Sequence, residues 1–178
     1  IKIITATTWG KKIPVWEENL NLFPKEILDK IEDINLNFPQ RQLTTEFDNL
    51  KDSFYKTIDF NKRFDILTHD VEDCHSDHTA LAKAAKGMYK YCNRFVAIYS
   101  PSSANFNPNY FIGLDEDTYK LKKITLDKYD IQNEQSYTKL GYYLQSEEHY
   151  NIGRAHVLEN YVFDDYKNYE IYKIIKWL

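Results

Sequence analysis

The chain has 178 residues, of which 43% are hydrophobic and 28% are charged, so it carries enough apolar material for a folded core. Its 23 Lys and Arg residues against 27 Asp and Glu residues give a formal net charge of -4, which argues against a nucleic-acid-binding protein because phosphate affinity comes from clustered cations. No apolar run approaches the roughly 20 residues of a membrane span. The only cysteines, Cys74 and Cys92, do not make a disulfide framework, so we expect a cytoplasmic protein, in the host cytoplasm if the sequence is viral or phage-encoded.

Over the first hundred residues, the predicted elements alternate between strands and helices. Short apolar, β-branched runs indicate the strands, and apolar residues spaced by three and four indicate the helices. In chain order we predict a strand at 1–5, a helix at 24–33, a strand at 34–38, a helix at 45–58, a strand at 64–69, a helix at 78–92 and a strand at 94–99. This order predicts an α/β protein, a Rossmann-like α/β/α sandwich with a mainly parallel central sheet.

The rest of the sequence is less regular. Apolar runs at 110–114 and 121–126 predict two further strands, and residues 137–158 are predicted to be helical in part. At the end of the chain, Ile171, Ile174 and Ile175 lie on one side of a predicted final helix at 169–178.

The first predicted strand ends in a segment suited to ligand binding. In open α/β sheets, ligands bind beyond the carboxyl ends of the strands. Small residues there let a ligand approach the backbone, hydroxyl groups can hydrogen-bond to it, and an indole ring offers a face for stacking. The candidate residues are Thr5, Ala6, Thr7, Thr8 and Trp9.

An acidic cluster, Asp70, Glu72 and Asp73, directly follows the strand at 64–69. Carboxylates two positions apart in an extended segment point the same way, so Asp70 and Glu72 can share one divalent cation. Mg²⁺ and Mn²⁺ prefer such oxygen ligands. The alternative is that these acids form a solvated turn or cap the following helix.

The same stretch supports a second kind of metal site. Four acids, three histidines and a cysteine lie between positions 69 and 78, a density that suggests imidazole ligation of a transition metal and hence a metal-dependent hydrolase. Neither His-Glu-x-x-His nor Cys-x-x-Cys spacing occurs there. The residues of this stretch are His69, Asp70, Glu72, Asp73, Cys74, His75, Asp77 and His78.

The order of elements, with the segment Thr5–Gly10 after the first strand and the segment His69–Asp73 after an apolar strand, resembles the nucleotide-binding half of a GT-A glycosyltransferase. In that family the first segment contacts the nucleotide base, and an Asp-x-Asp-type motif meets the ribose and the metal on the diphosphate. Asp70-Val71-Glu72 is the matching motif here, with Asp73 as the alternative ligand. The resemblance implies a Mn²⁺- or Mg²⁺-dependent transfer of a sugar from a nucleotide-sugar donor to an unknown acceptor, a glycan or a protein.

The resemblance also implies an organisation and a set of site residues. The length of the chain favours one domain over residues 1–178, and the resemblance places the nucleotide-binding half at 1–115, before a less regular part at 116–178. Asp70 joins the first segment in binding the nucleotide, and the family often takes a further metal ligand from a late histidine, here His156 or His149. Candidates for the catalytic carboxylate, if the enzyme inverts, are Asp115, Glu116, Asp117, Glu147 and Glu148.

Three interpretations therefore remain open: a metal-dependent glycosyltransferase, a metal-dependent hydrolase that uses the stretch 69–78, and a non-enzymatic interaction module of the phage accessory or immunity type. In the third, the acids and aromatic residues form a partner surface.

Overall fold

The computed structural model describes residues 1–7, 13–100, 102–103, 105–131 and 168–177. Six strands and five helices lie in these ranges. In chain order they are β1 (Lys2–Thr7), α1 (Ile13–Leu20), α2 (Lys25–Leu28), β2 (Glu32–Phe38), α3 (Phe47–Thr57), β3 (Ile66–His69), α4 (Ser76–Lys86), β4 (Phe95–Ile98), β5 (Tyr110–Leu114), α5 (Glu116–Ile131) and β6 (Asn168–Lys176). None of these helices has the length and hydropathy of a membrane-spanning segment.

The strands form two sheets. β1 and β2 pair in parallel as a two-stranded sheet, and the other strands form a four-stranded sheet in the order β3-β4-β6-β5. β3 and β4 are parallel, whereas β6 runs antiparallel to β4. The predicted Rossmann-like sandwich with a mainly parallel central sheet, the GT-A-like architecture, is therefore wrong. Alternating strands and helices predict parallel neighbours, but they do not reveal that β1 and β2 pair apart from β3 and β4.

The chain divides into two compact units. The described residues of the first unit are 1–7, 31–100, 102–103, 105–110 and 171–177, and those of the second are 13–30, 111–131 and 168–170. In the second unit, the Asn19 amide donates to the Thr125 carbonyl at 3.5 Å, and Lys128 lies 3.8 Å from Glu18, so these contacts join α1 to α5.

The core of the first unit forms where α3 and α4 pack on the strands. Leu50 and Phe54 lie one turn apart on α3 and are fully or almost fully buried, as is Phe95 on β4. Alanines on the inner face of α4 let the helix pack closely. The buried hydrophobic residues of this core are Ala6, Leu43, Leu50, Phe54, Ala80, Ala84, Ala85, Met88, Cys92 and Phe95.

Two further element predictions are wrong. Residues 121–126 belong to helix α5, because Asp115 caps its start: the Asp115 carboxylate accepts the Thr118 N–H at 2.7 Å. Residues 169–178 form strand β6 instead of a final helix. There the strand period of two places Ile171, Lys173 and Ile175 on one face, and the isoleucine spacing that suggested a helix is incidental.

Candidate metal centre

The candidate site lies at the carboxyl ends of two neighbouring parallel strands. β3 and β4 pair in register through His69 and Ile98, and a polar segment follows each strand. These segments contact each other, because the Cys74 N–H donates to the Ser102 carbonyl at 2.8 Å and Asp73 forms an isolated antiparallel bridge with Ser103. This is the edge at which ligands bind in sheets with parallel strands.

Asp73 lies at the centre of these contacts, with its side chain fully buried. Its carboxylate accepts hydrogen bonds from the Ser100 hydroxyl at 2.5 Å, the Ser102 hydroxyl at 2.7 Å and the His75 N–H at 2.7 Å. Burial raises the pKa of this carboxyl, but these three hydrogen bonds, together with the neighbouring His78, outweigh burial and hold the pKa at about 2. Asp73 is therefore ionised at neutral pH, which is the form that a metal ion binds.

His69, the last residue of β3, presents a buried ring nitrogen. Its Nδ1 is buried and has no hydrogen-bond partner among the described residues. Its ring stacks on that of His78, with centroids 3.8 Å apart and an angle of 5° between the planes. Burial, and then the proximity of His78, lower the pKa of His69 to about 4, so the imidazole is neutral at pH 7. A neutral imidazole is the form that binds metal ions.

His69, Asp73 and His78 together form the candidate metal cluster. One ligand atom from each residue lies within 4.8 Å of the other two, and His78 Nδ1 is 3.2 Å from Asp73 Oδ2. Zinc binds nitrogen and oxygen ligands at about 2.0–2.2 Å, so to share one ion the three ligand atoms must move closer together and the stacked rings of His69 and His78 must rotate until their nitrogens converge. Two imidazoles and a carboxylate suit zinc and similar transition metals better than Mg²⁺. Three protein ligands leave a position open for water.

The serines at this site do not form a nucleophilic triad. Ser102 Oγ lies 3.3 Å from His78 Nδ1, but the same nitrogen also faces the Asp73 carboxylate. A catalytic triad needs the hydroxyl and the carboxylate on opposite ring nitrogens. Because Ser102 donates directly to Asp73, it orients the carboxylate.

The neighbouring residues His75 and Asp77 have structural contacts of their own. His75 caps α4, since its Nδ1 accepts the Asp77 N–H at 3.2 Å, and its side chain is outside the metal cluster although its ring lies 4.4 Å from that of His78. The Asp77 carboxylate accepts the N–H groups of Arg41 at 2.6 Å and of Leu43 at 3.2 Å. It thereby fixes the loop before α3 to the start of α4.

Of the acids predicted to bind metal, only Asp73 is in the cluster. Asp70 is buried, forms an ion pair with Lys173 at 3.0 Å and accepts the Glu72 N–H at 3.1 Å. Both carboxylate oxygens of Asp70 therefore have protein partners, while the Glu72 side chain is exposed. Asp70 and Glu72 therefore do not form a shared cation site, although they lie two positions apart in the sequence.

The other predicted site residues lie elsewhere or outside the described ranges. Thr5 and Thr7 pair with Asn35 and Phe38 of β2, and Ala6 is buried in the core. In the second unit, Asp115 and Asp117 are exposed at the start of α5, and the Thr118 side chain and N–H lower the pKa of Asp115. The predicted residues outside the described ranges are Thr8, Trp9, Glu147, Glu148, His149 and His156.

The sequence interpretation missed the part that Ser100 and Ser102 play. The sequence of 100–103 is typical of a simple turn, whereas its hydroxyl groups hold Asp73 in the folded chain. The position of this serine segment directly after a strand parallel to β3 was the available signal.

No protein-family model matches this sequence, and a search of curated proteins gave no significant match. The case for the site therefore depends on its geometry.

Proposed function

We propose that the chain is a metal-dependent hydrolase whose zinc-type ion is bound by His69, Asp73 and His78. The observation that carries the proposal is the proximity of their three ligand atoms, all within 4.8 Å of one another at the carboxyl ends of β3 and β4. A zinc ion with an open position lowers the pKa of its bound water and supplies a nucleophile at neutral pH.

The protein environment favours the protonation states that metal binding needs. Hydrogen bonds keep Asp73 ionised, and burial keeps His69 neutral, so neither has to lose a proton at pH 7 when a metal binds. The serine hydroxyls hold the Asp73 carboxylate in place, which is the part that supporting hydrogen bonds play around metal ligands.

Zinc titration with matched histidine variants tests the metal site. We expect one zinc ion per EDTA-treated chain, measured by competition with a chromophoric chelator. His78→Asn removes a ligand and should weaken binding at least tenfold. His75→Asn is the control, because Asn is also a good N-cap residue and His75 lies outside the cluster. Equal affinities for the two variants would contradict the proposed ligand set.

Turnover of p-nitrophenyl phosphate and p-nitrophenyl acetate tests the proposed reaction. We expect zinc-dependent hydrolysis of one of these substrates by the native chain, and a loss of rate with His78→Asn at saturating zinc. Zinc binding without hydrolysis of either ester would favour a structural metal site over a hydrolase.

A glycosyltransferase is the second proposal, supported by the position of the acidic segment at the carboxyl ends of parallel strands. It requires a nucleotide-sugar donor and a glycan or protein acceptor, with Mn²⁺ or Mg²⁺. Because Lys173 pairs with Asp70, metal binding by Asp70 requires that this ion pair open. Thermal stabilisation by uridine or guanosine diphosphate with Mn²⁺, but not by zinc alone, would favour this function.

The absence of a response to zinc and to nucleoside diphosphates would favour the third interpretation, a non-enzymatic interaction module. A cytoplasmic location is part of both enzymatic proposals, since Cys74 and Cys92 are free thiols.

A further inference from the structure

A cavity of about 640 Å³ lies in the first unit between two strands that do not pair with each other. β1 and β3 line it together with α3 and α4. Its size is within the range of about 300–1,000 Å³ that is usual for ligand pockets. Asp73 and His78 do not line it, but His69 does, so the cavity adjoins the proposed metal site at the end of β3.

β3 presents its free edge to the cavity. All four of its residues, Ile66–His69, line the cavity, although consecutive side chains point to opposite faces of a sheet. The Ile66 N–H donates to the Arg94 carbonyl at 2.9 Å and so points toward β4. Because backbone groups alternate along a strand, the N–H and C=O groups of Leu67 and His69 point the other way, to the free edge.

β1 presents a free edge in the same manner. The Glu32 N–H donates to the Ile1 carbonyl at 2.8 Å, which places that carbonyl on the β2 side. The backbone groups of Lys2 and Ile4 therefore point away from β2, and both residues line the cavity. Within the described ranges, neither β1 nor β3 has a second strand neighbour.

The remaining walls add an apolar surface and a basic group. Phe54, Ile58, Leu81 and Met88 contribute apolar side chains. Of the acids that line the cavity, Asp59 pairs with Lys62 and Asp65 pairs with Arg94, whereas the exposed Arg63 has no ion-pair partner among the described residues. The cavity thus combines two rows of backbone donors and acceptors, an apolar wall and an exposed cation.

We propose that this cavity binds one extended peptide segment of a partner protein, which inserts as a strand between β1 and β3. A peptide backbone offers donors and acceptors on both sides, as two facing strand edges require, whereas an alkyl chain would leave these groups without partners. The apolar wall selects apolar side chains at alternate positions. Arg63 selects an acidic residue at one end of the segment.

A synthetic peptide tests this inference directly. The probe is a fluorescein-labelled seven-residue peptide that alternates valine and threonine and ends in glutamate on both sides. We expect saturable binding by fluorescence anisotropy. Two analogues, N-methylated at the valine amides or at the threonine amides, each lose the hydrogen bonds to one edge and should bind at least fivefold more weakly. Equal binding of both analogues and the parent peptide, or no saturable binding of the parent peptide, would overturn the proposal.

Leu67→Pro is the matching change in the protein. It removes an N–H that points to the cavity and leaves the β3–β4 hydrogen bonds intact, and the Leu67 side chain is 62% exposed. We expect at least fivefold weaker peptide binding with Leu67→Pro and near-native binding with Leu67→Val. Unchanged binding by the proline variant would contradict strand insertion.

Amide hydrogen exchange of the native chain gives an independent measurement if the proline variant does not fold. In the free protein, the amides of Leu67 and His69 should exchange faster than those of Ile66 and Thr68, and the peptide should slow them. Slow exchange of Leu67 and His69 without peptide would show that the edge is already covered, which would overturn the inference.

Discussion

Lys173 Nζ lies 3.0 Å from Asp70 Oδ2 and joins β6 to the residue that follows β3, 103 positions earlier in the chain. The Asp70 side chain is fully buried, and that of Lys173 is only 25% exposed. A buried carboxylate with a lysine partner stabilises this arrangement only while both charges are present. Asp70 is therefore a structural residue in this conformation, and Asp73 is the acid that belongs to the proposed metal site.

Asp70→Asn should reduce the stability of the chain and leave zinc binding in place. Removal of one partner leaves the Lys173 ammonium without its carboxylate, at a cost of about 2–3 kcal/mol because the lysine is partly solvated. Urea denaturation measures the loss, and the chelator competition measures zinc affinity.

The double variant Asp70→Asn/Lys173→Met is the control for this prediction. It removes both charges, so it should be more stable than the single variant. If Asp70→Asn instead has native stability but no longer binds zinc, Asp70 is itself a metal ligand.

Ser102→Ala should weaken zinc binding about tenfold, although Ser102 is not one of the three proposed ligands. The hydroxyl donates to Asp73 at 2.7 Å and helps to keep its pKa low. Loss of a supporting hydrogen bond typically costs 10–100-fold in metal affinity. Ser53→Ala is the control, because the Ser53 hydroxyl donates to the Asn49 carbonyl within α3 itself. Equal zinc affinities of the two variants would contradict a supporting part for Ser102.

The local elements around the site could be predicted from sequence because their signals are local. Phe47, Leu50 and Phe54 repeat at helical spacing and form α3, and the apolar runs before His69 and around Val96 form β3 and β4. The strand ends, and with them the general position of the site, follow from these elements.

The partners of the acidic residues could not be predicted in the same way. The ion pair of Asp70 depends on Lys173, which reaches it because β6 runs antiparallel beside β4. Strand order is a property of the whole chain, and no local pattern near residue 70 contains it. The same holds for Asp73, whose hydroxyl partners come from a segment about 30 residues later.

In the metal-free protein, stability should fall as the pH is lowered from about 6.5 to about 4. Burial and His78 lower the pKa of His69 to about 4 in the folded state, while the unfolded chain has the ordinary histidine pKa of about 6.5. Between these values the unfolded state binds more protons, so acidification favours unfolding, by up to about 3 kcal/mol at pH 4.

Urea denaturation at a series of pH values in EDTA measures this dependence. His69→Gln should flatten the pH dependence, whereas His75→Asn should retain most of it, because burial and His78 lower the pKa of His69 more than His75 does. A native chain whose stability is constant between pH 4.5 and 7 would show that His69 titrates normally.

Asp77→Ala should destabilise the fold without weakening zinc binding. The Asp77 carboxylate accepts the N–H groups of Arg41 and Leu43, and Leu43 is 2% exposed. Truncation leaves the Leu43 donor buried without a partner, at a cost of about 2–3 kcal/mol. Asp77→Asn keeps one acceptor oxygen, so it should lose less stability than Asp77→Ala.

Asp48→Ala is the matched control for this last prediction, since Asp48 is also an acid in the first turn of a helix but is exposed. It should change the free energy of unfolding by less than about 1 kcal/mol. Together with Asp70→Asn, this comparison separates acids that hold the fold from Asp73, the acid that contributes to the metal cluster. A large loss of zinc affinity with Asp77→Ala at unchanged stability would place Asp77 in the metal site instead.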